Sequence, residues 1–260
     1  MEASATKRQH AATLRNIKII NIACNEEDIE QRKGAGKHKT GTIVGTLSFP
    51  VNSEKIRKRK ELRDNSAIIA AILKRRKPDL LLCAGWSIPI QARKFVEDAT
   101  RKLGTIVILE TIDKDGGREY WKIKRGRTSC MGSQKFGKRK DVDTKVLHQL
   151  YDESASRSFR FSGKNVFLLI CGEVMVVKGR NDVCFDDHCE KLTKTLTEKN
   201  VIILNPTHTR MANDGAIKAW RKFLSKAQQL YLSASNWDVG GKKKQKPSPT
   251  LHSMWYDSVC

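Results

Sequence analysis

The chain has 260 residues and a formal net charge of +22, from 50 Lys and Arg residues against 28 Asp and Glu residues. Hydrophobic residues make up 39% and aromatic residues 7%, so we expect an aliphatic core of one large α/β domain. No stretch reaches the about 18 apolar residues that a membrane span requires, and the polar N-terminus lacks the apolar segment of a secretory signal. Seven irregularly spaced cysteines favour free thiols in a reducing compartment. These features predict a cytoplasmic protein with no membrane partner.

Apolar runs and helical spacing predict alternating strands and helices along the chain. Strands are predicted over 19–24, 43–49, 79–84, 105–111, 119–124, 159–161, 166–170, 201–204, 231–236 and 251–256. Helices are predicted over 55–77, 91–103, 186–199 and 216–230, and a flexible loop over 126–145. This alternation predicts a flexible lead-in over 1–15 and a single α/β domain over 16–260.

Basic residues are clustered at 55–60, 74–77, 122–127, 135–140 and 242–246. Such an excess of positive charge attracts polyanions through salt-sensitive contacts with phosphates. Nucleic acid is therefore one expected partner. The alternative is a generally basic surface with no dedicated partner, since the sequence does not show whether the clusters share a face.

A buried apolar strand over 166–170 leads directly into Cys171, Gly172 and Glu173. A turn after a rigid strand is a common way to present a nucleophile. The alternative is that Cys171 is one more small apolar residue of the core.

A second cluster, Cys-Phe-Asp-Asp-His-Cys over 184–189, contains several metal-binding residue types. A closed zinc site usually draws on two separated ligand pairs, and no second pair follows. We interpret the cluster as the acidic start of a helix and predict neither a metal nor a cofactor. His208 follows the strand after Cys171, where it either faces the site or serves as an ordinary loop histidine.

Three segments together resemble the nitrilase, or carbon–nitrogen hydrolase, superfamily. The segment 163–173 resembles its nucleophile strand, in which an apolar run ends in the catalytic cysteine. The segment 200–208 is similar to its next strand, which ends in Asn-Pro, here Asn205-Pro206. The segment 220–241 resembles its long helix, followed by a strand that ends near Asn and Gly-Gly.

The resemblance implies a four-layer α-β-β-α sandwich and a Glu-Lys-Cys catalytic group. The chain ends at Cys260, where the family continues, so the expected sandwich lacks the last C-terminal strands. A small-molecule amide or nitrile is the implied substrate and a homo-oligomer the implied assembly. Cys171 matches the nucleophile, and the N–H of Gly172 then becomes the expected oxyanion donor.

The other catalytic positions match the family less well. Lys124, with Lys122 as the alternative, is the expected lysine. The strand that carries the family's glutamate ends here in Ala-Gly-Trp-Ser over 84–87, without a carboxylate. Glu110 at the end of the next strand and Glu173 beside the cysteine are the two substitutes, and Glu173 is our catalytic candidate. The expected substrate-binding residues are Gly172, Trp86, Asn205 and His208.

Two functions therefore compete. The first is an amidase-type carbon–nitrogen hydrolase that works through a cysteine thioester. The second is a nitrilase-like domain that has lost its base and binds nucleic acid or a protein through its basic surface.

Overall fold

A computed structural model describes residues 17–23, 42–58, 62–186, 190–209, 214–226, 228–240, 246 and 251–256. Its strands are β1 Ile17–Ala23, β2 Thr42–Ser48, β3 Pro50–Val51, β4 Leu80–Cys83, β5 Ile88–Pro89, β6 Ile106–Ile112, β7 Arg118–Lys124, β8 Arg127–Gly132, β9 Ser158–Phe161, β10 Lys164–Leu168, β11 Val177–Lys178, β12 Cys184–Phe185, β13 Val201–Thr207, β14 Leu230–Ser235, β15 Trp237–Asp238 and β16 His252–Tyr256. Its helices are α1 Ser53–Arg57, α2 Ser66–Arg76, α3 Arg93–Thr100, α4 Thr144–Asp152, α5 Glu190–Thr197 and α6 Asp214–Leu224.

The strands form two main sheets. The first has seven strands in the order β1-β2-β4-β6-β7-β8, with β5 beside β6. Its strands β1, β2, β4 and β6 are parallel, whereas β7 and β8 are antiparallel to their neighbours. The second has five strands in the order β16-β14-β13-β10-β9, with β10, β13 and β14 parallel. Parallel strands buried on both faces are continuously apolar, as Leu80–Cys83 is here.

The sheets pack face to face and each carries helices on its outer side. The apolar layer between them contains Leu82 and Ile108 from the first sheet and Leu168 and Leu204 from the second. A second layer packs the first sheet against α1, α2 and α3, and a third packs the other sheet against α4, α5 and α6. The expected four-layer α-β-β-α architecture is confirmed.

The parallel strands of both sheets point to the same end of the sandwich. At that end the N–H of Gly85, after β4, donates to the carbonyl of Thr207 in β13 at 3.1 Å. At the other end the hydroxyls of Thr42 and Ser162 are 3.1 Å apart. We call the first end the carboxyl edge and the second the amino edge. Side chains from two sheets can therefore meet at one edge.

Two predicted elements are wrong. The predicted helix over 55–77 is instead two helices, α1 Ser53–Arg57 and α2 Ser66–Arg76, and residues 62–65 before α2 are not helical. The side chain of Asp64 accepts the N–H of Ser66 at 2.8 Å, and such local bonds favour a turn over a continuous helix. The predicted loop over 126–145 instead contains β8, which pairs with β7, and the start of α4.

Some expectations fall on residues outside the described ranges. The lead-in over 1–15 lies there, as do residues 187–189 of the 184–189 cluster. Within the described ranges, no group of three His, Cys, Asp or Glu residues is arranged to hold a metal. None of the helices in those ranges is long and apolar enough to cross a bilayer.

Candidate active site

Cys171 occupies a sharp turn after the strand β10. It opens a single 3-10 turn, Cys171–Val176, and has a φ of 48°. This left-handed conformation costs a non-glycine residue about 1–2 kcal/mol and, where it is retained, often marks a functional site. The thiol is partly exposed, so the turn presents it at the carboxyl edge of the sandwich.

Glu173 holds this turn in place from within the core. Its Oε2 accepts the N–H of Ile170 and a guanidinium N–H of Arg157, each at 2.7 Å, and its Oε1 accepts the N–H of Lys135 at 2.7 Å. Burial raises the pKa of Glu173, while the charge of Arg157 and these hydrogen bonds oppose that rise. Both carboxylate oxygens are therefore engaged with other groups.

Asn205 supports the same turn from the neighbouring strand. Its amide nitrogen donates to the carbonyls of Leu169 at 2.7 Å and Cys171 at 3.1 Å. Its carbonyl oxygen accepts the hydroxyl of Tyr231 at 2.7 Å. Because these groups are fully engaged with the protein, the structure gives Asn205 contacts with the nucleophile turn.

His208 lies between Cys171 and Glu110. Its Nε2 is 2.9 Å from both carboxylate oxygens of Glu110, and on its other side it lies close enough to the Cys171 thiol for its charge and its N–H groups to lower the pKa of that thiol. Glu110 is 1% exposed and His208 is 7% exposed. The three side chains form a row of carboxylate, imidazole and thiol, in which Glu110 and His208 are buried and Cys171 is partly exposed. This is the arrangement of a cysteine nucleophile with an oriented base.

Charges in this row shift two pKa values in opposite directions. Burial raises the pKa of the Cys171 thiol, and the Glu110 charge raises it too, but the charge of His208 and its hydrogen bonds outweigh both, so that pKa falls below its ordinary value. Burial lowers the pKa of His208, but the Glu110 and Cys171 charges and hydrogen bonds raise it to about 10. Both shifts favour the thiolate–imidazolium form of the pair over the neutral form.

The Glu110 carboxylate lies at the end of β4, where residues 84–87 themselves provide no carboxylate. Leu82 pairs with Ile108 in the register of β4 and β6, so Glu110 lies beside Ala84. The Trp86 N–H donates to Glu110 Oε2 at 2.5 Å. Of the two substitutes, Glu110 is thus the carboxylate that contacts His208.

The turn after β4 packs tightly on the imidazole. A Cβ on Gly85 would lie 2.5 Å from His208 Cδ2, which only glycine avoids. Trp86 has a φ of 53°, and its ring centroid lies 4.7 Å from that of His208. Gly85 and Trp86 therefore fix the position of the ring.

Tyr120 places a second polar group at the site. Its side chain is fully buried, and a Cβ on Gly85 would lie 3.1 Å from its hydroxyl. Among the described residues, this hydroxyl has no hydrogen-bond partner. Burial and the charges of Glu110 and Cys171 raise the pKa of Tyr120 well above its ordinary range, so it remains a neutral donor.

A cleft of about 740 Å³ lies beside this row. It is lined by Arg118, whose guanidinium lies 5.6 Å from the centroid of the Trp86 ring. Gly137 also lines it, and a Cβ on Gly172 would lie 2.8 Å from the Gly137 Cα. The cleft therefore adjoins the residues that flank His208 and Cys171.

The two candidate lysines lie elsewhere. Lys124 pairs with Ile106 at the amino edge, whereas Glu110 pairs with Tyr120, which puts Lys124 about 13 Å further along β7. The Lys122 ammonium lies 5.3 Å from the centroid of the Phe159 ring. The structure therefore brings neither lysine to Cys171.

Sequence reasoning did not single out Tyr120, Arg157 or Lys135. Arg157 is fully buried yet lies in a polar stretch that carries no apolar pattern. Lys135 lines the cleft and forms an ion pair with Glu153. Tyr120 was visible only as an aromatic residue in an alternating strand. The signal that identified Glu110 was a carboxylate within the otherwise apolar run 106–112.

No protein-family model and no curated protein matches this chain. Among solved structures, the chain is similar to a carbon–nitrogen hydrolase superfamily protein from Xanthomonas campestris that has an arsenic adduct in its active site. The identity is 10%, the match covers 75% of this chain and 77% of that chain, and the TM-score is 0.46.

Proposed function

We propose that this chain is a cysteine hydrolase that cleaves a carbon–nitrogen bond in a small-molecule amide or nitrile. Cys171 is the nucleophile, His208 carries the proton, and Glu110 orients His208 and keeps it charged. The observation that carries the proposal is the imidazole, which contacts the thiol and lies 2.9 Å from both oxygens of a buried carboxylate. The glutamate base and the lysine expected from the resemblance are replaced in this proposal by Glu110 acting through His208.

For an amide, the Cys171 thiolate attacks the carbonyl carbon, a C–S bond forms, and an electron pair moves to the carbonyl oxygen. The tetrahedral intermediate collapses as the His208 imidazolium protonates the departing nitrogen, releasing the amine and leaving a thioester. Neutral His208 then accepts a proton from the water that attacks the thioester. The thiolate leaves, so one amide and one water give one carboxylic acid and one amine.

The developing negative charge on oxygen needs hydrogen-bond donors that are already in place. The N–H of Gly172, next to the nucleophile, is one, and the unpartnered Tyr120 hydroxyl is the other. Removing one such donor lowers kcat by about 10²- to 10³-fold in enzymes of this kind. The cleft that Arg118 and Gly137 line is the proposed route of the substrate.

The chain contains its own reference thiols for testing this proposal. Cys130 and Cys184 are exposed and free, so they are accessible to the same reagent in the same sample. We expect an electrophilic amide to label Cys171 faster than these two, as measured by mass spectrometry of the separated peptides. Substrates are then sought as amides that release amine with wild type but not with Cys171→Ala. Labelling of Cys171 no faster than that of Cys130 would reject the proposal.

A further inference from the structure

The amino edge of the first sheet gathers basic side chains from three separate parts of the sequence. They come from the end of α2, the end of α3 and the turn between β7 and β8. We call the following set the basic edge: Lys74, Arg76, Lys77, Arg101, Lys102, Lys124, Arg125 and Arg127. All of them except the half-buried Arg76 are exposed.

The topology explains why these segments meet. Helices α2 and α3 each precede a parallel strand, so both end where β4 and β6 begin. The antiparallel register places Lys124 opposite both Ile106 and Arg127, which brings the β7–β8 turn to the same end. The Arg101 side chain lies beside this turn, 3.6 Å from the position of a Cβ on Gly126. The basic edge is therefore one continuous surface.

Little of its charge is neutralised. The Asp79 carboxylate accepts the N–H of Ile43 at 2.7 Å, and Asp98 pairs with Arg101 at 2.5 Å. Within the described part of the chain, no carboxylate forms an ion pair with Lys102, Lys124 or Arg127. The surface therefore keeps a strong positive potential.

A recess of about 320 Å³ opens at this edge between the two sheets. Lys124 and Arg160 line it together with the hydroxyl-bearing residues Thr42 and Ser162. Asp79 also lines it, and its carboxylate is engaged by the N–H of Ile43. The Arg160 guanidinium is held by the carbonyl of Gly163 at 2.8 Å and by the side chain of Asn165 at 2.9 Å. Cations and hydroxyls around one recess form a suitable environment for a phosphate group.

We propose that the basic edge binds the phosphate backbone of a nucleic acid. From β4 to β8 the edge crosses three strand spacings, about 14 Å, and duplex DNA carries about eight charges over that length. Arginine guanidinium groups bind phosphate oxygens in pairs. The large exposed apolar residues of the described chain are Ile90, Phe95, Val239 and Met254; none belongs to the basic edge, so it lacks the apolar anchors of a membrane-bound surface.

The test compares two variants in which the same amount of charge is removed. The first is K74Q/K102Q/R125Q/R127Q, in the basic edge. The second is K145Q/K191Q/K194Q/K218Q, whose lysines are exposed on α4, α5 and α6 over the other sheet. Binding of a short labelled DNA duplex is measured by fluorescence anisotropy over a series of salt concentrations, with an RNA duplex of the same sequence as a second arm. Thermal unfolding of both variants verifies that they are folded.

We expect wild type to bind the duplex with a steep salt dependence. We expect the basic-edge variant to lose at least about tenfold more affinity than the control variant K145Q/K191Q/K194Q/K218Q. For every phosphate that the variant no longer binds, the slope of log K against log salt should decrease by about 0.9. Equal reductions in the two variants, or wild-type binding without salt dependence, would overturn the proposal. It would also be overturned if polyglutamate or anionic vesicles displaced the duplex at the same concentration of charge.

Discussion

The imidazole of His208 contacts the carboxylate of Glu110 across the interface between the two sheets, at 2.9 Å from each oxygen. Glu110 belongs to β6 in the first sheet, whereas His208 directly follows β13 in the second. In the proposed mechanism this contact keeps the His208 ring charged beside Cys171, so the chemistry of the second sheet would depend on a residue of the first.

Replacing Glu110 by Gln should slow the reaction of Cys171. Without the carboxylate charge the pKa of His208 falls, and the thiolate loses its counter-ion. A neighbouring opposite charge shifts a pKa by about one to three units, so alkylation by iodoacetamide at pH 6 should slow by about tenfold or more. Glu190→Gln removes the same charge from an exposed position of α5 and should leave the rate unchanged. Equal rates for E110Q and wild type would show that Glu110 does not activate the thiol.

The pH dependence of Cys171 should separate the thiol from the imidazole. Because the pKa of Cys171 lies below its ordinary value, alkylation should reach its plateau at a lower pH than for the exposed Cys130. Because the pKa of His208 is raised to about 10, hydrolysis should fall as pH rises through about 10, since the ring can no longer protonate the departing nitrogen. Alkylation should not fall there, because the thiolate remains. An alkylation midpoint for Cys171 equal to that of Cys130 would contradict the ion pair.

Replacing Glu173 by Gln should weaken the fold more than the chemistry. Glutamine keeps one acceptor oxygen but places an NH₂ donor against the N–H of either Ile170 or Lys135, and it leaves buried Arg157 without a full counter-charge. Breaking a buried ion pair costs about 3–5 kcal/mol, measured as the free energy of unfolding in urea. The exposed Glu190→Gln is the matched control. If E173Q stayed as stable as wild type while Cys171 labelling stopped, Glu173 would be catalytic after all.

The backbone at Cys171 predicts an unusual ranking of two variants. At a φ of 48°, glycine avoids a strain of about 1–2 kcal/mol that alanine retains. Cys171→Gly should therefore be more stable than Cys171→Ala by about 1 kcal/mol in chemical unfolding. Cys83 is fully buried in β4. There the ranking should be reversed, with Cys83→Ala more stable than Cys83→Gly, because glycine destabilises a strand. The same ranking at both positions would argue against strain at Cys171.

Adding one methyl group at Gly85 should displace the imidazole. The new Cβ would lie 2.5 Å from His208 Cδ2, so Gly85→Ala should separate the imidazole from the thiol and lower the labelling rate of Cys171 at pH 6 by about tenfold or more. Gly104→Ala meets no atom within 4 Å and should behave as wild type. Unchanged labelling in G85A would mean that the ring tolerates a shift.

The layered fold was predictable because strand and helix patterns alternate and because Cys171 and Asn205 each follow or end an apolar run. The hairpin between β7 and β8 was missed for a local reason. Its two-residue turn holds Arg125 at a φ of 51° and Gly126 at a φ of 73°. Arginine is not typical of the first position of such a turn, where Asn, Asp or Gly is preferred. The strand that follows is largely exposed, so it shows no apolar pattern.

The position of Glu110 in the site depends on information that a single chain does not carry. The resemblance predicts a catalytic glutamate at the end of β4. The carboxylate beside Ala84 comes instead from the neighbouring strand β6. Only the pairing of Leu82 with Ile108 reveals that the two positions are adjacent. The role of Glu173 was obscured in the same way, since its partners Arg157 and Lys135 are distant in sequence.

Because Glu110 and Cys171 belong to different sheets, the proposed activation of the thiol requires that the sandwich has closed. A newly synthesised chain whose second sheet has not yet docked carries seven ordinary cysteines, none more vulnerable to electrophiles than the others. The rate at which Cys171 reacts is therefore a readout of native assembly. A pulse of alkylating reagent during refolding would time the docking of one half of the protein onto the other.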